Sequence, residues 1–432
     1  MIIFTNTITS RLQYISDFIG KEITGKVFHL TTDLNFYLQQ EDPKINYSNE
    51  HITENEFWIQ PHSLLFEKGI EQQTIECFID NGIKAFFKTS GDLSFDIFAT
   101  SFYLLSRYEE YLPYQKDIYG RYAHENSLAF KENFLHLPLI NLWLQNFKGV
   151  LKRKFPSLTI HHSPFTFLPT YDIDEAYSYR HKDWWRSAGG IAKALTKGNW
   201  SKINERRKVL LGKMNDPYDC YEWMDDLHHR YNLRPRYFFL VPGKTAKYDK
   251  NILPDQPALQ QLIRQHAENY SIGVHPSWQS GDDESLIKSE IETIEKITGK
   301  KIISSRQHYI RFTLPETFRH LISAGITEDF SMGYGSINGF RASVASTFYW
   351  YDLEKERTTE LLLHPFCFMD ANSFFEQKFS SQEALEEMQH YHRIIKSVNG
   401  LFIPIWHNNF LGTEKIYSGW RDVYEKFIKE IS

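Results

Sequence analysis

The chain has little of what redox-active, nucleic-acid-binding or membrane-spanning proteins need. Its 432 residues include only three cysteines, Cys77, Cys220 and Cys367, odd in number and far apart. None has the pair spacing of a zinc ribbon or a thiol redox motif, which leaves ordinary thiols in a reducing compartment. An excess of one charge is also lacking: 49 Lys and Arg stand against 54 Asp and Glu, a formal net of -5 without a long basic block. That balance invites neither nucleic acid nor an anionic membrane. No apolar run is long enough to span a bilayer, and the start Met1-Ile2-Ile3-Phe4-Thr5-Asn6 has no basic or apolar stretch of signal-peptide type. The expectation is a soluble, cytoplasmic protein. Nucleotide loops and internal repeats are absent as well. The stretch Gly333-Tyr334-Gly335-Ser336-Ile337-Asn338-Gly339-Phe340-Arg341 is Gly-rich but has no lysine at phosphate-loop spacing. It is expected to bring backbone close to a site and to aim Arg341 inward.

What is plentiful is apolar and aromatic material, 41% and 16% of the residues, enough for two domains with their own cores. Rings left over a cleft would suit the apolar faces of sugars, although most rings go to the core. The apolar run Phe165-Thr166-Phe167-Leu168 predicts a buried strand, with Thr170-Tyr171-Asp172-Ile173-Asp174 at its end. Asp172 and Asp174 are two apart and share a strand face, so one carboxylate could hold a cation while the other handles a proton. Alone, such a pair serves equally well as a turn cap. The same pattern then recurs. His275 follows Ser271-Ile272-Gly273-Val274, Arg306-Gln307-His308-Tyr309 follows Lys301-Ile302-Ile303, and His407 closes Leu401-Phe402-Ile403-Pro404-Ile405-Trp406. Four strand ends carrying Asp, His, Arg and His form one rim in a parallel α/β architecture.

These motifs, in this order, resemble the NodB-type polysaccharide deacetylases, carbohydrate esterase family four. Tyr171-Asp172-Ile173-Asp174 is similar to the first motif of that family, His275 to the first histidine of the second, and Arg306 to Tyr309 to the third. Asp329 resembles the fourth and His407 the terminal one. Gln279 stands where the second motif has its other histidine, and His308 where the third has proline. The likeness covers about residues 160 to 432. More closely, the whole chain resembles a bacterial subgroup in which an uncharacterised N-terminal region precedes such a domain. The resemblance implies a distorted (β/α) barrel over residues 161–432, behind a smaller α/β domain at 1–160. It also implies hydrolytic removal of acetyl groups from N-acetylated sugars or polysaccharide. Asp172 would be the general base oriented by Arg306, and His407 the general acid poised by Asp329. Asp174 and His275 would hold a divalent metal, zinc first among the candidates, with His308 replacing the missing ligand. Tyr309 and Arg341 would contact the carbohydrate. Two other readings stay open: a metal-free pseudoenzyme or carbohydrate-binding protein, which Gln279 makes credible, and a glycosidase working through a carboxylate pair.

Elsewhere the pattern is structural. Residues 96–105 and 138–151 predict helices of the N-terminal part, and Arg107, Glu109 and Glu110 read as a solvated helix end rather than a site. Residues 155–164, with two prolines, predict a linker in which His161 and His162 face solvent. The insertion at 177–215, rich in Trp, Lys and Arg, would lie over the site as a lid or substrate wall, or form a partner surface.

Overall fold

Strands and helices alternate along almost the whole chain. The computed structural model describes residues 1–41, 43–281 and 283–432. The N-terminal part builds a parallel sheet from β1 (Ile2–Phe4), β2 (His29–Thr31), β3 (Lys44–Asn46) and β4 (Phe57–Trp58), in the order β2-β1-β3-β4. The helix Ser10–Thr24 begins at Thr9, whose hydroxyl accepts the Leu12 N–H, and buries Leu12, Ile15, Ile19 and Ile23 on one face. Asp96 caps the fully buried helix Ile97–Leu105 by accepting the N–H groups of Phe98 and Ala99.

The second sheet has nine strands: β5 (Thr170–Ile173), β6 (Arg236–Phe239), β7 (Ser271–Val274), β8 (Ser304–Ser305), β9 (Glu328–Asp329), β10 (Phe348–Asp352), β11 (Arg357–Leu363), β12 (Phe368–Met369) and β13 (Pro404–His407). Their order is β10-β11-β9-β8-β7-β6-β5-β13-β12, parallel throughout except that β10 runs against β11. Helices Pro257–Asn269, Glu284–Thr298 and Glu316–Ser323 make the crossovers. The fold is mixed α/β. Among the described residues the ladder does not close: β10 pairs only with β11, and the two residues of β12 are taken up by β13.

One strand differs from expectation. Phe165 to Leu168 does not lead into the sheet; Thr166 and Phe167 pair with Leu401 and Phe402 in a separate ladder. Pro169 has no N–H to donate and divides the run. The strand of the main sheet is therefore Thr170–Ile173 itself, which puts Asp172 inside it, opposite Phe238 and His407.

The apolar core is continuous across the two sheets. Arg11 pairs with Glu356, and the Tyr14 hydroxyl donates to the Tyr349 carbonyl at 2.8 Å. Arg107, Glu109 and Glu110 are not a solvated helix end. Arg107 bonds Glu109 at 2.8 Å and Glu110 at 2.7 Å, all three buried, and donates to the Arg341 carbonyl. No helix among the described residues is long and apolar enough to cross a membrane.

Candidate functional site

Because β8, β7, β6, β5 and β13 are adjacent and parallel, the residues just past their carboxyl ends meet at one rim. Asp172, fully buried, accepts from Arg306 Nη1 at 2.8 Å through Oδ1. Arg306 is itself held by Thr170 Oγ1 at 2.8 Å and the Phe330 carbonyl at 3.1 Å, with its guanidinium 4.4 Å from the Phe238 ring centre. The other oxygen, Oδ2, is 3.9 Å from His275 Nε2.

Asp174, His275 and His308 come together beside this pair. Asp174 Oδ1 lies 3.1 Å from His275 Nε2 and 3.4 Å from His308 Nδ1, and the two nitrogens are 3.0 Å apart. The remaining ring nitrogens fix the tautomers. His275 Nδ1 stands 2.6 Å from the Arg306 carbonyl and His308 Nε2 3.2 Å from the Tyr248 carbonyl. A carbonyl can only accept, so both of those nitrogens carry the hydrogen. In the neutral rings His275 Nε2 and His308 Nδ1 therefore present lone pairs to one another and to Asp174 Oδ1, which accepts no hydrogen bond. Three buried lone pairs turned on one point repel unless a cation or proton lies among them. Burial would push the Asp174 carboxyl up, but His308 and His407 hold it well below the usual carboxylate range. Burial would likewise push His308 down, and Asp174 raises it instead. The donor set and its spacing suit a divalent ion: ligand bonds of about 2.0–2.1 Å in a tetrahedron give edges of about 3.3 Å. Asp174, His275 and His308 are thus a possible metal site. Gln279 takes no part, since its amide donates to Asp249 Oδ2 at 3.0 Å and to the Lys244 carbonyl at 3.3 Å.

His407 completes the rim, with Nε2 3.6 Å from Asp174 Oδ2. Its orienting partner is not Asp329 but Asp370, just past β12, whose two oxygens take His407 Nδ1 at 2.6 Å and the His407 backbone N–H at 2.7 Å. Burial alone would lower this imidazole, yet Asp370 and Asp174 push it up to about 10. Asp329 lies one strand beyond Arg306, where its hydrogen bonds run to Ser305 Oγ at 2.8 Å and Ser331 N at 2.8 Å rather than to His407. Asp370 carries the signal used for Asp172, an apolar strand ending in Asp, in Cys367-Phe368-Met369-Asp370.

The site opens into a cleft of about 540 Å³ lined by Asp172, Asp174, His275, His407, Tyr309 and Phe410, among others. Arg341 is not among its walls. Its buried guanidinium is bound to Glu110 through Nε at 2.8 Å and to the Gly333 carbonyl through Nη1 at 3.1 Å, and lies 4.1 Å from the Phe312 ring centre, away from the cleft. The N-terminal part, in contrast, reaches the cleft through Ile118, Tyr119 and Arg121. Arg121 is fixed by Asp117 at 2.6 Å and donates to the Tyr309 carbonyl at 2.6 Å. Tyr309 and Ile310 have φ of 59° and 53°, a rare conformation for such side chains, and this turn carries His308. Gly335 leaves the room: a Cβ there would meet Arg121 Nη1 at 2.0 Å and the Tyr309 carbonyl oxygen at 2.7 Å. Tyr309, Tyr119, Tyr248 and Trp278 form one aromatic cluster, with Tyr119 and Tyr309 centred 5.4 Å apart. The 177–215 insertion contributes no residue to the cleft lining.

Residues 1–156 match a family of unknown function, DUF7033. No curated protein matches the chain. Among solved structures, one from Mycobacterium smegmatis assigned as a polysaccharide deacetylase is 14% identical, with a TM-score of 0.38, over 63% of this chain and 85% of that one. One from Pseudomonas aeruginosa PAO1, also assigned as a polysaccharide deacetylase, is 10% identical with a TM-score of 0.40, covering 62% and 84%. The PuuE allantoinase is 9% identical with a TM-score of 0.41, covering 62% and 84%.

Proposed function

We propose that this protein is a metal-dependent hydrolase that removes acetyl groups from N-acetylated sugars or polysaccharide, with zinc held by Asp174, His275 and His308 on a distorted, incomplete (β/α) barrel. The observation that carries the reading is the meeting of those three lone pairs, 3.0–3.4 Å apart, beside a buried carboxylate and an imidazole that face the same cleft.

When bound, a divalent cation lowers the pKa of a water and polarises a carbonyl. The chain's own groups do the rest. Asp172 takes the proton of the attacking water at Oδ2, because Arg306 occupies Oδ1 and holds the carboxylate in place. His407 presents a protonated Nε2 to the cleft and gives that proton to the departing amine, while Asp370 holds the opposite side of the ring. Tyr309 and Phe410 offer apolar wall for a sugar ring.

The test separates ligand from acid. His308→Ala is expected to weaken zinc binding by more than the roughly 10–100-fold that outer-shell changes cost. His407→Ala should keep the metal and lose turnover on N-acetylated oligosaccharides. Zinc content of the purified variants and acetate release are the measurements. Unchanged zinc in both His308→Ala and Asp174→Ala would overturn the metal assignment. Arg121→Ala, which touches no ligand but releases the Tyr309 carbonyl, should weaken zinc about tenfold, as a supporting-shell change does. Competition with a chelator of known affinity reads this directly.

A further inference from the structure

The 177–215 insertion folds into two helices, Trp184–Thr196 and Trp200–Leu210, joined by a short turn. The first has no buried residue and the second buries only Val209. Trp184, Trp185 and Trp200 are 82%, 54% and 69% exposed, and Leu195, Leu210 and Leu211 stand out with them. On the first helix Trp184, Ala188, Ile191 and Leu195 are spaced four, three and four apart, which makes one apolar stripe. Soluble monomers seldom expose so much contiguous apolar surface without use for it.

The charge around these rings is lopsided. Residues 180–213 contain ten Lys and Arg against two acidic residues, in a chain whose net charge is -5. Whole-chain balance hides this local excess. Lys193, Lys197, Arg207, Lys208 and Lys213 are exposed and form no ion pair among the described residues. The charges at the root, by contrast, are engaged: Lys182 pairs with Glu175 at 2.8 Å, and Arg186 donates to the Asn251 carbonyl at 3.1 Å.

We propose that this helical hairpin is an interfacial docking element that seats the protein on an anionic phospholipid bilayer. The free cations complement a negative lipid surface, and indole rings with neighbouring leucines suit the boundary between headgroups and acyl chains. A nucleic acid would use the cations but leave Leu195, Leu210 and Leu211 in water. The docking is independent of the reaction assigned to the cleft, because neither helix lines it.

Flotation of the full-length protein with vesicles tests the idea. Binding to phosphatidylcholine vesicles containing one-third phosphatidylglycerol should exceed binding to pure phosphatidylcholine by about tenfold or more, and should weaken as salt rises. Tryptophan emission should shift to the blue on binding. The combined Trp184→Ala, Trp185→Ala and Trp200→Ala variant should lose about tenfold, as should Lys193→Ser, Lys197→Ser, Arg207→Ser and Lys208→Ser together. The basic-residue variant alters only solvated side chains, so it keeps the test readable if the tryptophan variant folds poorly. Zinc content and helicity should stay at wild-type values in it. Failure to float with anionic vesicles, equal flotation of folded variants, or tighter binding of the same basic face to single-stranded RNA would each overturn the proposal. So would a concentration-dependent dimer that conceals the hairpin.

Discussion

Asp172→Asn is expected to lower the turnover number by about 10²–10⁴-fold, the range general-base catalysis contributes, while the protein keeps its zinc. The side chain is fully buried, and the substitution is nearly isosteric, so Arg306 Nη1 can still donate to the amide oxygen. What disappears is an acceptor for the water's proton at Oδ2. The three side chains of the proposed metal site are other residues, so on that reading zinc content should remain near wild type. A neutral partner leaves the Arg306 charge less well compensated, and some loss of stability belongs to the expectation. Thr170 Oγ1 and the Phe330 carbonyl remain to hold the guanidinium. Acetate release and metal analysis on the same folded sample decide the matter. Turnover within about tenfold of wild type would remove Asp172 as the base.

The second large effect concerns stability. Arg341→Ala should cost about 3–5 kcal/mol in urea unfolding, the usual result of removing one partner from a buried ion pair. Arg341 and Glu110 are 2% and 4% exposed, and Glu110 also receives Arg107 Nε at 2.7 Å. The Glu110 carboxyl stays below its usual range although burial opposes this, because Arg341 and Arg107 both face it. Glu110→Ala should therefore be the worse change, since it leaves two buried guanidinium groups without their shared anion. Because these residues join the N-terminal segment to the loop after β9, both variants should lower a single common transition. An unfolding midpoint unchanged in both variants would show the network to be energetically idle.

The sequence is legible at the cleft and misleading at the buried ion network. Asp174, His275 and His407 stand out because a chelating or acidic side chain directly follows an apolar run, and parallel strands gather their ends without further instruction. Asp370 sends the same signal and is overlooked only because the motif pattern has no place for it. His308 is visible as a strand-end histidine. That it turns toward His275 depends on the left-handed Tyr309 and Ile310, which no local pattern of non-glycine residues announces. The sequence around Arg107, Glu110 and Arg341 misleads for a different reason. A charged run after a helix is solvated unless a distant partner arrives, and here the partner of Glu110 lies 231 positions away. Whether nine short strands close into a barrel is equally invisible, since closure depends on ladders only two residues long at β8, β9 and β12.

The clamp of Arg121 on the Tyr309 carbonyl spans 188 positions and passes over a glycine with no room to spare. It makes the order of assembly matter. The His308 turn gains this hold on the Tyr309 carbonyl only after the N-terminal segment has come to rest against it, so on the proposed function metal capture during refolding would serve as a clock for that docking event. On the proposed function, a full-length chain carrying Arg121→Ala would keep Asp174, His275 and His308 yet lack the latch, and would gain zinc slowly and release it readily.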